Sequence, residues 1–213
     1  MMNTDEKKVS DLLYEIGAYG PHRNAVARMI TPIRGEQLVN DYVRTCQGKN
    51  HKFRLQIIQV FQIDHPRDQS FDTSIGNNVL LWHGTRTDNV YTILRDGYRA
   101  AFASNSAMFG PGIYFTNCVT KAAGYCSEDP RKFTGGADDG NVRPRVRCGY
   151  LFCSQVALGR PKTDVDEDGD DFSVPEGPLK LVEKCKLQYD EFVVYRSTQV
   201  KHEYLVKVAI LPK

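Results

Sequence analysis

Leu80-Leu81-Trp82-His83-Gly84-Thr85, Phe109-Gly110-Pro111-Gly112-Ile113-Tyr114-Phe115 and Lys121-Ala122-Ala123-Gly124-Tyr125-Cys126 follow one another within residues 80–126. Each is an apolar run that ends in a polar or aromatic residue beside a glycine. Glycine carries no Cβ, so such an ending lets backbone amides and ring faces approach a flat ligand closely. The same residues also read as two strand ends and a helix of an ordinary core, and spacing does not separate the two readings.

Outward from that stretch, periodicity places the other elements. Val79 to Trp82 is a short buried strand that delivers His83 and Gly84, and Ile113 to Phe115 is another. Between them Thr87-Asp88 can cap a helix with Val90, Ile93 and Leu94 as its inner stripe and Gly97 as its stop. Thr116 or Asn117 can cap a second helix carrying Lys121 and Tyr125 one turn apart. Upstream, Leu38, Val39, Tyr42, Val43 and Cys46 recur at helical spacing. Residues 53–63 read as a long strand whose apolar phase slips between Ile57 and Ile58, the mark of a bulge or of burial on both faces. Val9, Leu12, Leu13 and Ile16 predict a short helix, and residues 1–33 as a whole read as an N-terminal extension. Downstream, 149–158, Glu191 to Tyr195 and Glu203 to Leu211 are strands, the last alternating at Tyr204, Val206, Val208 and Ile210. The crossovers are too irregular for a βαβ repeat. The class is α+β, mostly antiparallel.

The 213 residues suit one large domain or one domain with a short extension, and 41% hydrophobic with 25% charged residues is ordinary for a globular chain. A net charge of +2 argues for no global steering toward nucleic acid. No apolar run approaches the ~20 residues of a membrane helix, and the polar first residues are not a signal peptide. Six cysteines are scattered without C-x-x-C spacing, so they read as reduced thiols of an intracellular protein rather than a zinc site. Arg143, Arg145 and Arg147 share one side of an extended segment, either a solvated face or a phosphate contact. Asp164 to Asp171 begins like a calcium loop, but its twelfth position is Pro175, and a solvated acidic loop accounts for it better. No metal is expected. Neither G-x-G-x-x-G nor a Walker loop is present.

Taken together with Tyr189-Asp190-Glu191-Phe192-Val193-Val194-Tyr195, Val156-Ala157-Leu158-Gly159 and Tyr204-Leu205-Val206-Lys207, the opening runs resemble the catalytic domain of the poly(ADP-ribose) polymerases. These are ADP-ribosyltransferases of the diphtheria-toxin-like type, and the runs fall in family order over residues 34–213. The resemblance implies split, mostly antiparallel β-sheets flanked by short helices, with NAD as substrate. The subgroup most resembled is the DNA-dependent polymerases, which carry DNA-sensing modules and a helical regulatory domain. Thirty-three residues precede the resemblance, too few for either, so DNA binding is not supported within this chain. As a complete chain its NAD pocket is expected to be open without an activator; as a trimmed piece it would have left the regulatory parts behind.

By the same resemblance, Glu191 bonds the nicotinamide-ribose 2′-hydroxyl and stabilises the oxocarbenium-like transition state, and His83 binds the adenine-side ribose. Gly84 offers its backbone to the nicotinamide amide, Tyr114 and Tyr125 stack on the ring, and Lys121 assists beside Glu191. Thr85, Asn89 and Arg99 line the adenosine and pyrophosphate side, and Met108 begins the acceptor border. Ala122 stands where the family commonly has a serine that bonds the nicotinamide amide, so weaker NAD binding is expected. The implied activity is ADP-ribosyl transfer to protein acceptors, automodification included. With His83, Tyr114 and Glu191 together it extends to polymer formation; mono-transfer, or NAD binding without catalysis, are the alternatives. A nuclear home is what the family implies, otherwise the cytoplasm.

Overall fold

The computed structural model describes residues 3–33, 37–100, 109–126, 147–160, 179–181 and 189–213. Among them are helices α1 (Thr4–Glu15), α2 (Arg23–Met29), α3 (Gln37–Thr45), α4 (Thr87–Asp96) and α5 (Val119–Ala123). The strands are β1 (Ile30–Ile33), β2 (Phe53–Ile63), β3 (Asn78–Gly84), β4 (Ile113–Phe115), β5 (Arg147–Ala157), β6 (Leu179–Leu181), β7 (Glu191–Val194) and β8 (Val200–Pro212). They form a five-stranded sheet in the order β1-β2-β8-β5-β3 and a three-stranded sheet in the order β4-β7-β6. Every pairing is antiparallel, the expected α+β architecture with split sheets.

The phase slip read at 57/58 is a register shift between Ile57 and Gln59 against β8, which turns Ile58 to solvent. An extra residue without a partner flips the side-chain parity of everything after it. The two sheets meet at a single bridge, Trp82 against Thr116, so the end of β3 lies beside the end of β4. Trp82, fully buried and stacked on Tyr42 with centroids 5.1 Å apart, anchors the core on one face of that junction. Leu81, Phe115 and Phe152 belong to the core on the other.

Residues 3–33 are packed into this core. β1 adds an edge strand to β2, with Ile30 opposite Ile63, and Leu12, Leu13, Ile16 and Val26 are buried in the same cluster as Phe152. At about 1.5–3 kcal/mol per buried aliphatic side chain, their burial is comparable with the whole stability of a typical domain. Lys207 Nζ on β8 sits 2.7 Å from the Glu15 carboxylate, and Tyr150 Oη donates to it as well. The strand at 30–33 escaped the sequence because Pro32 and an exposed Thr31 break the strand pattern, as an edge allows.

Two caps differ from expectation. Arg86, not Thr87 or Asp88, occupies the α4 N-cap, and Gly97 (φ 72°) ends that helix as foreseen. At α5 the N-cap is Cys118, while the Thr116 hydroxyl accepts from the Cys118 N–H and donates to the Asp190 carbonyl.

Candidate active site

β3 is the last strand of the larger sheet, and its outer edge is covered stepwise. The Leu80 carbonyl accepts from Tyr42 Oη at 2.5 Å, and Trp82 exchanges both backbone bonds with Thr116, at 2.8 and 2.9 Å. Backbone groups two residues apart on a strand point to the same edge, so the N–H and C=O of Gly84 point where those of Leu80 and Trp82 do. Among the described residues nothing takes them up. Glycine is required here: a Cβ on residue 84 would lie 1.7 Å from the Ala122 carbonyl oxygen of α5. The donor and acceptor left open at Gly84 fit a carboxamide, which pairs with one N–H and one C=O.

Across the junction, Tyr114 on β4 stands opposite Val193 on β7, and Glu191, two residues before Val193, shares its face. Tyr114 and Glu191 are thus diagonal neighbours on one face of the smaller sheet. Lys121 Nζ lies 2.9 Å from Glu191 Oε1 and donates to the Tyr189 carbonyl at 3.0 Å, with both side chains of the ion pair nearly buried (13% and 12% exposed). Tyr125, 60% exposed, reaches the same Oε1 from its hydroxyl at 3.5 Å. Burial, and then the Glu191 charge, raise the Tyr125 phenol above its ordinary value, so it remains a donor. Tyr114 accepts from the Phe109 N–H at 3.0 Å and donates to the Gly110 carbonyl at 2.9 Å, which fixes its ring.

The His83 Nδ1 is 2.9 Å from the Tyr114 carbonyl, which can only accept, so Nδ1 carries the proton and Nε2 is left as an acceptor. Burial keeps the imidazole's pKa below its ordinary value, so the ring is neutral. His83, Thr85, Asn89 and Arg99 line a cavity of about 400 Å³ together with Tyr98 and Gly112. Asn89 Nδ2 donates to Thr85 Oγ1 at 3.2 Å, and Arg99 lies 3.9 Å from the Asp96 carboxylate. The expected site residues therefore fall into two adjoining groups. Lys121 and Tyr125 meet the Glu191 carboxylate, with Tyr114 on the same sheet face and Gly84 packed against α5; His83, Thr85, Asn89 and Arg99 line a cavity.

Several supporting contacts had no signal in the sequence. Asn117 Nδ2 bonds Asp190 Oδ2 at 2.9 Å, and Tyr195 Oη bonds the Phe109 carbonyl at 2.8 Å, so β7 is tied down on both sides of Glu191. The Tyr189 ring is stacked on His51 at 4.8 Å, and its hydroxyl accepts from the Asn50 N–H at 3.2 Å. Met108, Arg143, Arg145, the acidic loop 164–175 and Cys185 lie outside the described residues; Arg147 is an exposed residue at the start of β5. The five described cysteines are free thiols. Among the described residues, no helix is long and apolar enough to cross a membrane. His65, Asp68 and His202 bring ligand atoms within 4.8 Å of one another. Asp68 Oδ1 is already bonded to His202 Nδ1 at 2.8 Å, closer than the roughly 3.3 Å at which tetrahedral zinc holds its ligand atoms apart.

The sequence profile of the family "Poly(ADP-ribose) polymerase catalytic domain" matches residues 36–210. Poly [ADP-ribose] polymerase 1 of Xenopus laevis is 31% identical over 195 residues, covering 81% of this chain and 19% of the relative. Poly [ADP-ribose] polymerase 2 of Zea mays is 27% identical over 206 residues (84% of this chain, 32% of the relative), and poly [ADP-ribose] polymerase 2 of Homo sapiens 26% over 210 (81% and 34%). The chain thus spans about a fifth to a third of the length of these curated relatives. With the profile matched over most of its length, on a fold of two split antiparallel sheets, the chain belongs to the poly(ADP-ribose) polymerase catalytic domain family.

Proposed function

We propose that this chain is an NAD-dependent ADP-ribosyltransferase that breaks the nicotinamide–ribose bond and passes ADP-ribose to a protein acceptor, itself included, with elongation to polymer. Residues 34–213 carry the activity and residues 1–33 are an N-terminal extension. The observation that carries the reading is the Glu191 carboxylate, held at 2.9 Å by Lys121 of α5, the helix whose Ala122 carbonyl lies over Gly84.

The chemistry follows from charge. As the bond breaks, its electron pair passes to the cationic nicotinamide ring, and positive charge develops on the ribose C1 and ring oxygen. A carboxylate fixed nearby interacts more strongly with that charge than with the ground state, which is what lowers a barrier. Glu191 takes that role and accepts from the ribose 2′-hydroxyl. Gly84 pairs with the carboxamide, Tyr114 and Tyr125 bracket the ring, and His83 Nε2 accepts from the adenine-side ribose. Thr85, Asn89 and Arg99 attend the adenosine and pyrophosphate. The acceptor then attacks C1 and loses its proton. No metal enters this scheme.

The test is incubation with labelled NAD, wild type beside Glu191→Gln, with products resolved by size. Ladders that vanish in the variant support polymer formation, and single shifts reduce the activity to mono-transfer. No label from the wild type, with or without nicked DNA, overturns the enzyme reading.

A further inference from the structure

Behind His83 the core contains a column of rings that an apolar wall would not need. Tyr98, only 4% exposed, meets the His83 ring edge to face (centroids 5.3 Å, 85°). On its other side it stacks flat on His202 (4.8 Å, 12°), and its hydroxyl bonds Ser154 Oγ at 3.1 Å. His202 in turn lies against His65 (4.6 Å, 24°). The left-handed Gly97 (φ +72°) turns the chain from α4 into this column; a Cβ there would come within 2.9 Å of Arg67 Cδ.

His202 cannot rotate freely. Asp68 Oδ1 accepts from its backbone N–H at 3.1 Å and from its ring Nδ1–H at 2.8 Å. A bond to a carboxylate is among the stronger side-chain restraints. Asp68 is delivered by a 3-10 turn, Pro66–Ser70, whose N-cap is His65, with Nδ1 accepting from the Arg67 N–H at 3.1 Å. The register shift between Cys153 and Ser154 pairs Ser154 with His202, which puts the Tyr98 hydroxyl partner beside the ring it stacks on.

We propose that Asp68, His202 and Tyr98 are positioning residues that set the plane of His83, and thereby the affinity for the adenosine half of NAD. The inference rests on His83 as the ribose contact in the function proposed above. Among the described residues His83 has one polar restraint of its own, the bond from Nδ1 to the Tyr114 carbonyl, about which the ring can still tilt. The Tyr98 ring blocks that tilt from the core side and so fixes where Nε2 points into the cavity. A hydrogen bond weakens steeply as its angle departs from linear, so a tilt at Nε2 is felt by a ribose hydroxyl and not by a nicotinamide at Gly84. A leucine-sized side chain at 98 or 202 would fill the same space without burying a carboxylate beside it; the aromatic stack adds a defined ring plane.

The experiment compares wild type, Tyr98→Leu, His202→Leu, His202→Phe and Asp68→Ala. It reads ADP-ribose affinity by calorimetry, benzamide affinity, KM and kcat with labelled NAD, thermal midpoint, and the His83 ring signals of histidine-labelled protein without ligand. In the leucine variants the His83 signals shift, ADP-ribose binding weakens and KM rises by about threefold to tenfold, the range a stacked pair controls. Benzamide affinity and kcat change less than about twofold, and His202→Phe, which keeps the stack but not the ring bond to Asp68, recovers part of the loss. Unchanged His83 signals and ADP-ribose affinity, even with a lowered midpoint, would reduce the column to core packing and overturn the proposal. Should a leucine variant not fold, Asp68→Ala, which removes both bonds to His202, must still move the His83 signals or the proposal falls. If those signals move but neither wild type nor His83→Ala binds ADP-ribose, the reading of the site fails while the positioning of His83 stands.

Discussion

Lys121 Nζ sits 2.9 Å from Glu191 Oε1 and 3.0 Å from the Tyr189 carbonyl, so one ammonium holds both the carboxylate and the backbone that presents it. Hydrogen bonds to charged groups contribute about 1.5–3 kcal/mol. Lys121→Met should therefore lower the initial rate of labelling by about 10- to 100-fold. Lys121→Arg, which keeps the charge but not the point geometry, should recover part of it. A Lys121→Met rate within about twofold of wild type would show that Glu191 needs no partner.

Gly84→Ala tests the close approach of β3 to α5. Its Cβ would fall 1.7 Å from the Ala122 oxygen, so α5 must move, at a cost of about 1–3 kcal/mol. The expected result in denaturant is a lowered midpoint, and in calorimetry a loss of benzamide binding, because the amide-pairing edge moves with α5.

Ala122→Ser supplies the hydroxyl common at this position in the family. Residue 122 is 1% exposed on α5, directly over Gly84. One added hydrogen bond of about 0.5–1.5 kcal/mol should tighten benzamide and lower the KM for NAD severalfold. Unchanged constants for both would show that the residue plays no part in amide recognition.

Stability should fall in mild acid through His65. Burial, followed by the charges of His202 and Arg67, holds its pKa at about 4 against an ordinary 6.5, with Asp68 and the Leu94 carbonyl pulling the other way. The unfolded chain thus takes up a proton that the folded chain refuses. This contribution is complete above pH 6.5 and is lost progressively as pH falls toward 4, by roughly 3 kcal/mol. Denaturant midpoints across that window should decline, and the decline should flatten in His65→Gln. Parallel curves for the two proteins would refute the assignment to His65.

Much of the architecture is visible in the residues before any coordinates. β2 and its bulge follow from the apolar phase at Phe53–Ile63, and the stop of α4 follows from Gly97. Such features are local: alternation, helical spacing and a left-handed glycine each act within a few residues. β1 was invisible because an edge strand tolerates Pro32 and an exposed threonine. Tyr98 and His202 carry no signal in the sequence, since no local pattern states which ring will lie against which.

The sequence by itself determined which residues end each strand beside a glycine, and with them the family and the chemistry to look for. The tertiary structure alone decided that the β3 edge is covered at Leu80 and Trp82 and, among the described residues, left without a partner at Gly84. It also decided that Lys121 reaches Glu191, and that the expected contacts divide into a carboxylate group and a cavity group. The reason is physical. Strand-end chemistry is set by neighbours along the chain, whereas an open hydrogen-bonding edge or a paired charge depends on what a second sheet brings within about 3 Å.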